Sequence, residues 1–395
     1  MKNSPAKIEQ WADEPFRVFF PLGVLASIFG VLLWPALSLE WIAYYPLEAH
    51  ARWMVLGFGG CFITGFLGTA GPRLLGSPPW RHWELFVHFF MALGMMTFLV
   101  LFRISAADLM AGLWLLGVLA SLLYRFFRER KDIPPPGMPM AALGLLSAGL
   151  AGIALSLIPV SNLSLQLFTF LRLLYFQGLI WLPVLAVAPF LLPRFFGKRS
   201  SHDFEDSVTL PAGWTRQFAG SLAVGILLIA TFACEAWLAP RLGMVLRGTL
   251  VMLYLAVSVP GLAGVTRTNG LGLALRCVLL CSAGGWLLAA FFPLLRTGMI
   301  HLMFIGGAGL LIITVATRVI LGHAGRHDQL TSPLKWFHAV WALIAFAAAT
   351  RLTVDFIPKV RVSHLNYAAI LWVAVLLFWL WKLRRKNDSS QSSKA

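Results

Sequence analysis

Nine histidines, four cysteines and twelve methionines hold most of the metal-binding capacity of this 395-residue chain. A neutral imidazole is the usual axial ligand of haem iron and a good ligand for copper. His301 opens the apolar run GMIHLMFIGGAGLLIITVATRVI, which begins at Gly298 and leaves through Leu-Gly-His-Ala-Gly-Arg, bringing Arg318, His323 and Arg326 to its far end. At a 1.5 Å rise per residue, the run as far as Leu321 is roughly 35 Å long, enough to cross a bilayer. His301 and His323 are then about 33 Å apart, so a single metal or haem cannot take both. The histidines therefore fall into two layers. His50 and His301 start apolar runs at one face, and His364 precedes another there. His88 and His338 sit one to two turns inside their runs from the opposite face. Met91, three residues from His88, shares its helical face and suits a soft copper site, whereas the alternative is helix packing beside core methionine. Cys277 and Cys281 share a face at i and i+4, and either bind metal or act as small apolar packing residues.

Ionisable groups inside apolar runs have to be positioned by membrane helices. The chain is 59% hydrophobic and only 12% charged, with a mean hydropathy of +0.78 and 16 Trp. Soluble domains carry about 25% charged residues, so the composition places the chain in lipid. Runs of helical length, without barrel-type alternation, define an all-α polytopic bundle. Twelve apolar windows follow: 16–37, 47–70, 83–104, 107–127, 137–159, 164–192, 217–237, 243–263, 271–293, 298–321, 333–352 and 366–382. The window 164–192 is long enough to tilt or to break near Pro183. Two polar connections, 128–139 and 198–213, are the only sizeable loops, the second with His202, Asp203, Glu205 and Asp206. Residues 1–395 thus read as one transmembrane domain.

The polar first fifteen residues do not form a signal peptide, so the first run is expected to remain as an anchor. All four cysteines lie in apolar runs, which argues against a disulfide framework. A net charge of +16 reflects basic loops rather than a nucleic-acid surface, since no long basic tract occurs. With a cytoplasmic N-terminus, 23 of the 32 Lys and Arg fall in inner segments, which predicts both termini inside. That placement puts His50, His301 and His364 outside, and both polar loops in the cytoplasm.

Two stretches carry a family likeness. GFLGTAGPRLLG, from Gly65 to Gly76, follows Glu48-Ala49-His50 and Gly57-Phe58. His301 is followed by Gly306, Thr317-Arg318 and Leu321-Gly322-His323-Ala324-Gly325-Arg326. Together they resemble the NnrS family, haem- and copper-containing inner-membrane proteins of the nitric-oxide response in denitrifying and related bacteria. The resemblance implies haem of b type, copper as a second metal, nitric oxide as ligand and a respiratory-chain or NO-reductase partner. It implies that His50 and His301 face each other or share one haem, the alternative being two interfacial histidines bonded to loop carbonyls. It also implies an ordered cluster of Arg318, His323 and Arg326 binding an anion or a haem propionate, the alternative being snorkelling to head groups. Where the family shows H-x-H-E-M, this chain has His50-Ala51-Arg52-Trp53-Met54. Arg52 cannot ligate a metal but could pair with a propionate.

The glycines at 57, 59, 60, 65 and 68 and at 306, 307 and 309 predict close packing of the second and tenth runs, or room for a flat macrocycle. Two other readings stay open. Twelve spans also suit a secondary transporter of a small solute, which would carry internal repeats, and GTAGPRLLG and TVATRVILG echo each other too briefly to define one. A cofactor-less accessory subunit of a respiratory complex fits the Arg52 departure.

Overall fold

The computed structural model describes residues 7–205, 207–264 and 268–384. Lys2, Asp206, Arg267, Arg385, Lys386 and Lys394, which entered the loop and charge readings, lie outside the described residues. Among the described residues twelve helices are long and apolar enough to cross a membrane: α1 Phe16–Ser38, α2 Leu47–Leu74, α3 His82–Val100, α4 Ile104–Glu129, α5 Met138–Leu157, α6 Leu165–Phe196, α7 Trp214–Leu238, α8 Pro240–Ser258, α9 Gly270–Phe291, α10 Pro293–His323, α11 Lys335–Phe356 and α12 Pro358–Arg384. No strand occurs among the described residues.

Local sequence chemistry makes the tight connections. Ala239, Phe292 and Ile357 each stand alone between two spans, and each precedes a proline that opens the next helix. A residue before proline is driven out of the α region, and proline itself tolerates the first helical turn. The three φ values of −148°, −119° and −128° show that extended kink.

The spans repeat in fours. Within α1–α4, α5–α8 and α9–α12, the second helix is the longest of its group at 28, 32 and 31 residues. It is also the most enclosed, with 78%, 67% and 61% of its apolar window buried. Each second helix contains a widened π-helical stretch: Trp53–Gly60 in α2, Leu173–Gly178 in α6 and Leu302–Gly309 in α10. Each also carries arginines near its two ends, spaced 21 or 22 residues apart: Arg52 and Arg73, Arg172 and Arg194, Arg296 and Arg318. The groups join side by side through α4 on α5, α8 on α9 and α12 on α1. Thus α2, α6 and α10 form the axis of a three-fold pseudo-repeat. The short echo between the second and tenth runs belongs to this repeat, whose middle copy holds Pro193-Arg194-Phe195-Phe196-Gly197 opposite Pro72-Arg73-Leu74-Leu75-Gly76.

Two expectations need correction. The irregularity in α6 is the π stretch at 173–178, and Pro183 lies inside a continuous helical segment, Leu179–Leu191. The glycines do not join α2 to α10 directly. A Cβ at position 57 would come within 2.8 Å of Ala26 on α1, and one at 306 within 2.7 Å of Cys281 on α9. Gly57, Gly60 and Gly65 seat α2, and Gly306, Gly307 and Gly309 seat α10, against helices of their own groups, with Cys281 packing in the second seam, whereas Gly59 faces Ile180 of α6. Two of the axial helices meet through larger side chains: Trp181 Nε1 donates to Met303 Sδ at 3.1 Å, joining α6 to α10.

Candidate functional site

Towards the end where α2 and α10 begin, the axial helices part around a cavity of about 630 Å³, lined also by α1, α11 and α12. His50 and His301 both line it. Their ring centroids are 6.4 Å apart and their planes 16° from parallel. Each ring is oriented by a carbonyl: His50 Nδ1 lies 2.8 Å from Gly30 O, and His301 Nδ1 2.7 Å from Thr297 O one turn earlier. A carbonyl oxygen only accepts, so Nδ1 carries the proton in both rings and Nε2 keeps its lone pair. Among the described residues neither Nε2 has a hydrogen-bond partner. Carbonyl bonding and metal binding are therefore compatible here, because the first sets the tautomer that the second requires.

The cavity lining is largely apolar, including Met54, Phe58, Phe176, Phe304 and Trp372, while Arg172, Arg296, Arg351 and Arg361 stand in the same lining with Asp355 as the one acid. Arg172 Nη1 donates to Glu48 Oε2 at 2.6 Å, Arg296 pairs with Glu235, and Arg351 Nη1 is 3.5 Å from Asp355 Oδ1. Gln177 adds a donor. Its Oε1 accepts from Arg247 Nη1 and Trp286 Nε1, both at 2.9 Å, so its amide nitrogen is left for the cavity it lines. Behind it, Arg247 and Glu235 form a fully enclosed ion pair at 2.7 Å.

Other candidates fall elsewhere. Arg52 is 4% exposed and does not line the cavity. Its Nε and Nη2 grip Asp108 at 2.7 and 2.6 Å, and its Nη1 donates to Glu48 Oε2 at 2.6 Å. Tyr175 completes the cluster by donating to Asp108 Oδ1 at 2.9 Å. All three guanidinium nitrogens are occupied, so the expected propionate role is withdrawn from Arg52. Arg318, His323 and Arg326 lie at the other end of α10 and do not form one cluster. Arg318 lies over the Phe195 ring at 4.7 Å. Arg326 Nη1 donates to Leu383 O at 2.8 Å, near the end of α12. His323 Nδ1 meets Glu14 Oε1 at 2.6 Å, and Arg73 and Arg17 reach the same carboxylate. Burial pushes the Glu14 carboxyl up, but bonds and charge from His323 and Arg17 outweigh it and hold the group below its ordinary range.

His88 and His338 are not brought together. His88 Nε2 pairs with Ser121 Oγ at 3.1 Å and its ring tilts against Trp80, while His338 Nδ1 accepts from Trp341 Nε1 at 3.1 Å. Their helices have different neighbours, α3 packing on α4 and α11 on α12. The inner-layer pair is withdrawn. Among the described residues no group of three or more His, Cys, Asp or Glu side chains is placed to hold a metal.

The arginines of the cavity escaped the sequence reading, although a signal was present. Counting Lys and Arg by side left nine outside the inner segments: Arg52, Arg103, Arg172, Arg241, Arg247, Arg296, Arg351, Lys359 and Arg361. Four of these line the cavity and Arg247 bonds its Gln177. Cations on the side that topology disfavours were the residues with another reason to be there.

Fold and site together define a polytopic helical membrane protein with a cavity that brings an imidazole pair and an arginine-rich lining together. The sequence profile described as NnrS protein matches residues 10–386, nearly the whole chain, and the chain belongs to that family. No curated protein matches it.

Proposed function

We propose that the cavity holds a haem of b type between α2 and α10 and that the protein binds nitric oxide there, as part of a nitric-oxide response in a bacterial inner membrane. The observation that supports this most is the imidazole pair, with each Nδ1 proton engaged by a carbonyl and each Nε2 lone pair free in one cavity. Metal–imidazole bonds of about 2.1 Å leave a centroid separation of 6.4 Å within reach of a single ion. The volume lies within the ~300–1,000 Å³ of sites that enclose a whole ligand. An apolar wall suits a flat macrocycle, and Arg172, Arg296, Arg351 and Arg361 suit its carboxylates. The residues therefore fit the group.

In this reading His50 and His301 would hold the iron, the arginines would orient the acid edge, and Gln177 would donate a hydrogen bond to a polar guest. Bound haem iron would supply a coordination position for nitric oxide where one of the two imidazoles gives way to it. Copper in place of haem would rest on the same two imidazoles, with Met54 as the one sulfur donor in the lining. A respiratory-chain or NO-reductase partner would supply electrons if the chemistry is reductive.

The repeat favours a second reading. Parallel repeats meeting on an axial cavity are also how transporters build a solute site, and the four arginines would then select a small anion. An absorption spectrum and metal analysis of the purified protein decide between them. A Soret band that disappears in H301A and in H50A supports haem, whereas a colourless, metal-free protein that binds a small anion supports transport.

A further inference from the structure

A second cleft lies further along the same axis, between α2, α6 and α10 with Phe20 of α1, and has a volume of about 80 Å³. Its lining, which includes Phe62, Phe66, Val184 and Val315, contains no polar side chain. Ile312 lines both this cleft and the imidazole cavity, so the two spaces share that side chain in their walls. Water needs only about 10–15 Å³ of such volume, but it also needs two to four polar partners, and an apolar cavity without them stays dry and admits xenon or benzene. At 80 Å³ the space is too small for a large ring or a folded lipid tail, and it leaves apolar walls unsatisfied if empty.

We propose that this cleft is a dry chamber for a small apolar gas molecule and that it feeds the imidazole cavity past Ile312. Its destination rests on the haem reading, but its existence does not. A guest that dissolves in the bilayer would reach the imidazoles from within the helix bundle, without crossing the arginine-lined part of the cavity. Nothing in the chamber retains ions or water, so it selects by size and polarity alone.

The test is xenon. Crystals of the full chain pressurised with xenon should show one discrete anomalous peak between Phe62, Val184 and Val315. V184F fills the space and should abolish the peak, while V184A enlarges it and should keep or strengthen the peak; this opposite pair separates occupancy from misfolding. No peak in the parent, a peak indifferent to V184F, or continuous acyl-chain density in its place overturns the chamber. For the feeding role, I312W should keep the xenon peak and slow recombination of carbon monoxide after flash photolysis about tenfold, an added barrier of about 1.4 kcal/mol. An unchanged rate overturns that role. A colourless preparation that takes up xenon removes the haem reading and leaves the chamber standing, and a coloured one without xenon does the reverse.

Discussion

Replacing Arg52 by glutamine should destabilise the protein by about 3–5 kcal/mol, the usual cost of leaving one partner of a buried ion pair alone. The size follows from what Asp108 would keep. Its side chain is 2% exposed, it loses both bonds from Arg52, and only the Tyr175 hydroxyl remains. The reciprocal change, D108N, should cost less. Arg52 then retains Glu48 Oε2 at 2.6 Å and the Glu48 carbonyl at 3.1 Å, so its charge is still partly matched. In the double variant R52Q/D108N no charge is stranded between these two positions, and the loss should fall well below the sum of the single changes. Unfolding free energies from denaturant titration in mixed micelles measure all three. Equal costs for the two single variants, or strict additivity in the double, would refute this reasoning. So would a selective loss of cofactor from folded R52Q, which would return Arg52 to the cavity.

Three further outcomes follow from particular contacts. R351Q and R172Q should each weaken retention of a carboxylate-bearing cofactor by roughly 10- to 100-fold, from about 1.5–3 kcal/mol per charge-assisted bond, measured by transfer of haem to an apo-acceptor. Unaltered transfer in both would remove the arginines from the site. G137A should destabilise by about 1–3 kcal/mol or more, because a Cβ there would lie 2.1 Å from the Ala186 carbonyl oxygen, a backbone atom with little freedom to yield. A thermal melt indistinguishable from the parent would contradict that contact. The Glu14 carboxyl titrates below its ordinary value of 4.5, so its pairing with His323, Arg73 and Arg17 contributes fully above that value and is lost as pH falls through the lower folded value. Parent and E14Q should therefore differ in stability near neutral pH and converge in acid; a constant difference across that range would disprove the linkage.

The spans were legible because hydropathy and helix length report one physical quantity, the cost of placing backbone and side chains in hydrocarbon. The placement of His50 and His301 at one depth was legible for the same reason, since rise per residue converts sequence position into height. Rotation about the helix axis was not. His88 and His338 share a depth, yet they lie on helices with different neighbours, which no spacing within one helix reveals. Arg52 shows a second limit. Its charge suggested an anion, but Asp108, 56 residues away on α4, had already taken it. The π-helical stretches were hidden too, because they shift register by a residue within runs whose composition stays uniformly apolar.

The pseudo-repeat sets an inequality at its own centre. Three helices of similar build converge on the cavity, but only α2 and α10 bring an imidazole, while α6 brings Arg172, Phe176 and Gln177. In the proposed reading two of the three helices would hold the guest and the third would orient it. The repeat of build is therefore not a repeat of chemistry: at the cavity α6 presents an amide and a guanidinium where its two counterparts present imidazoles.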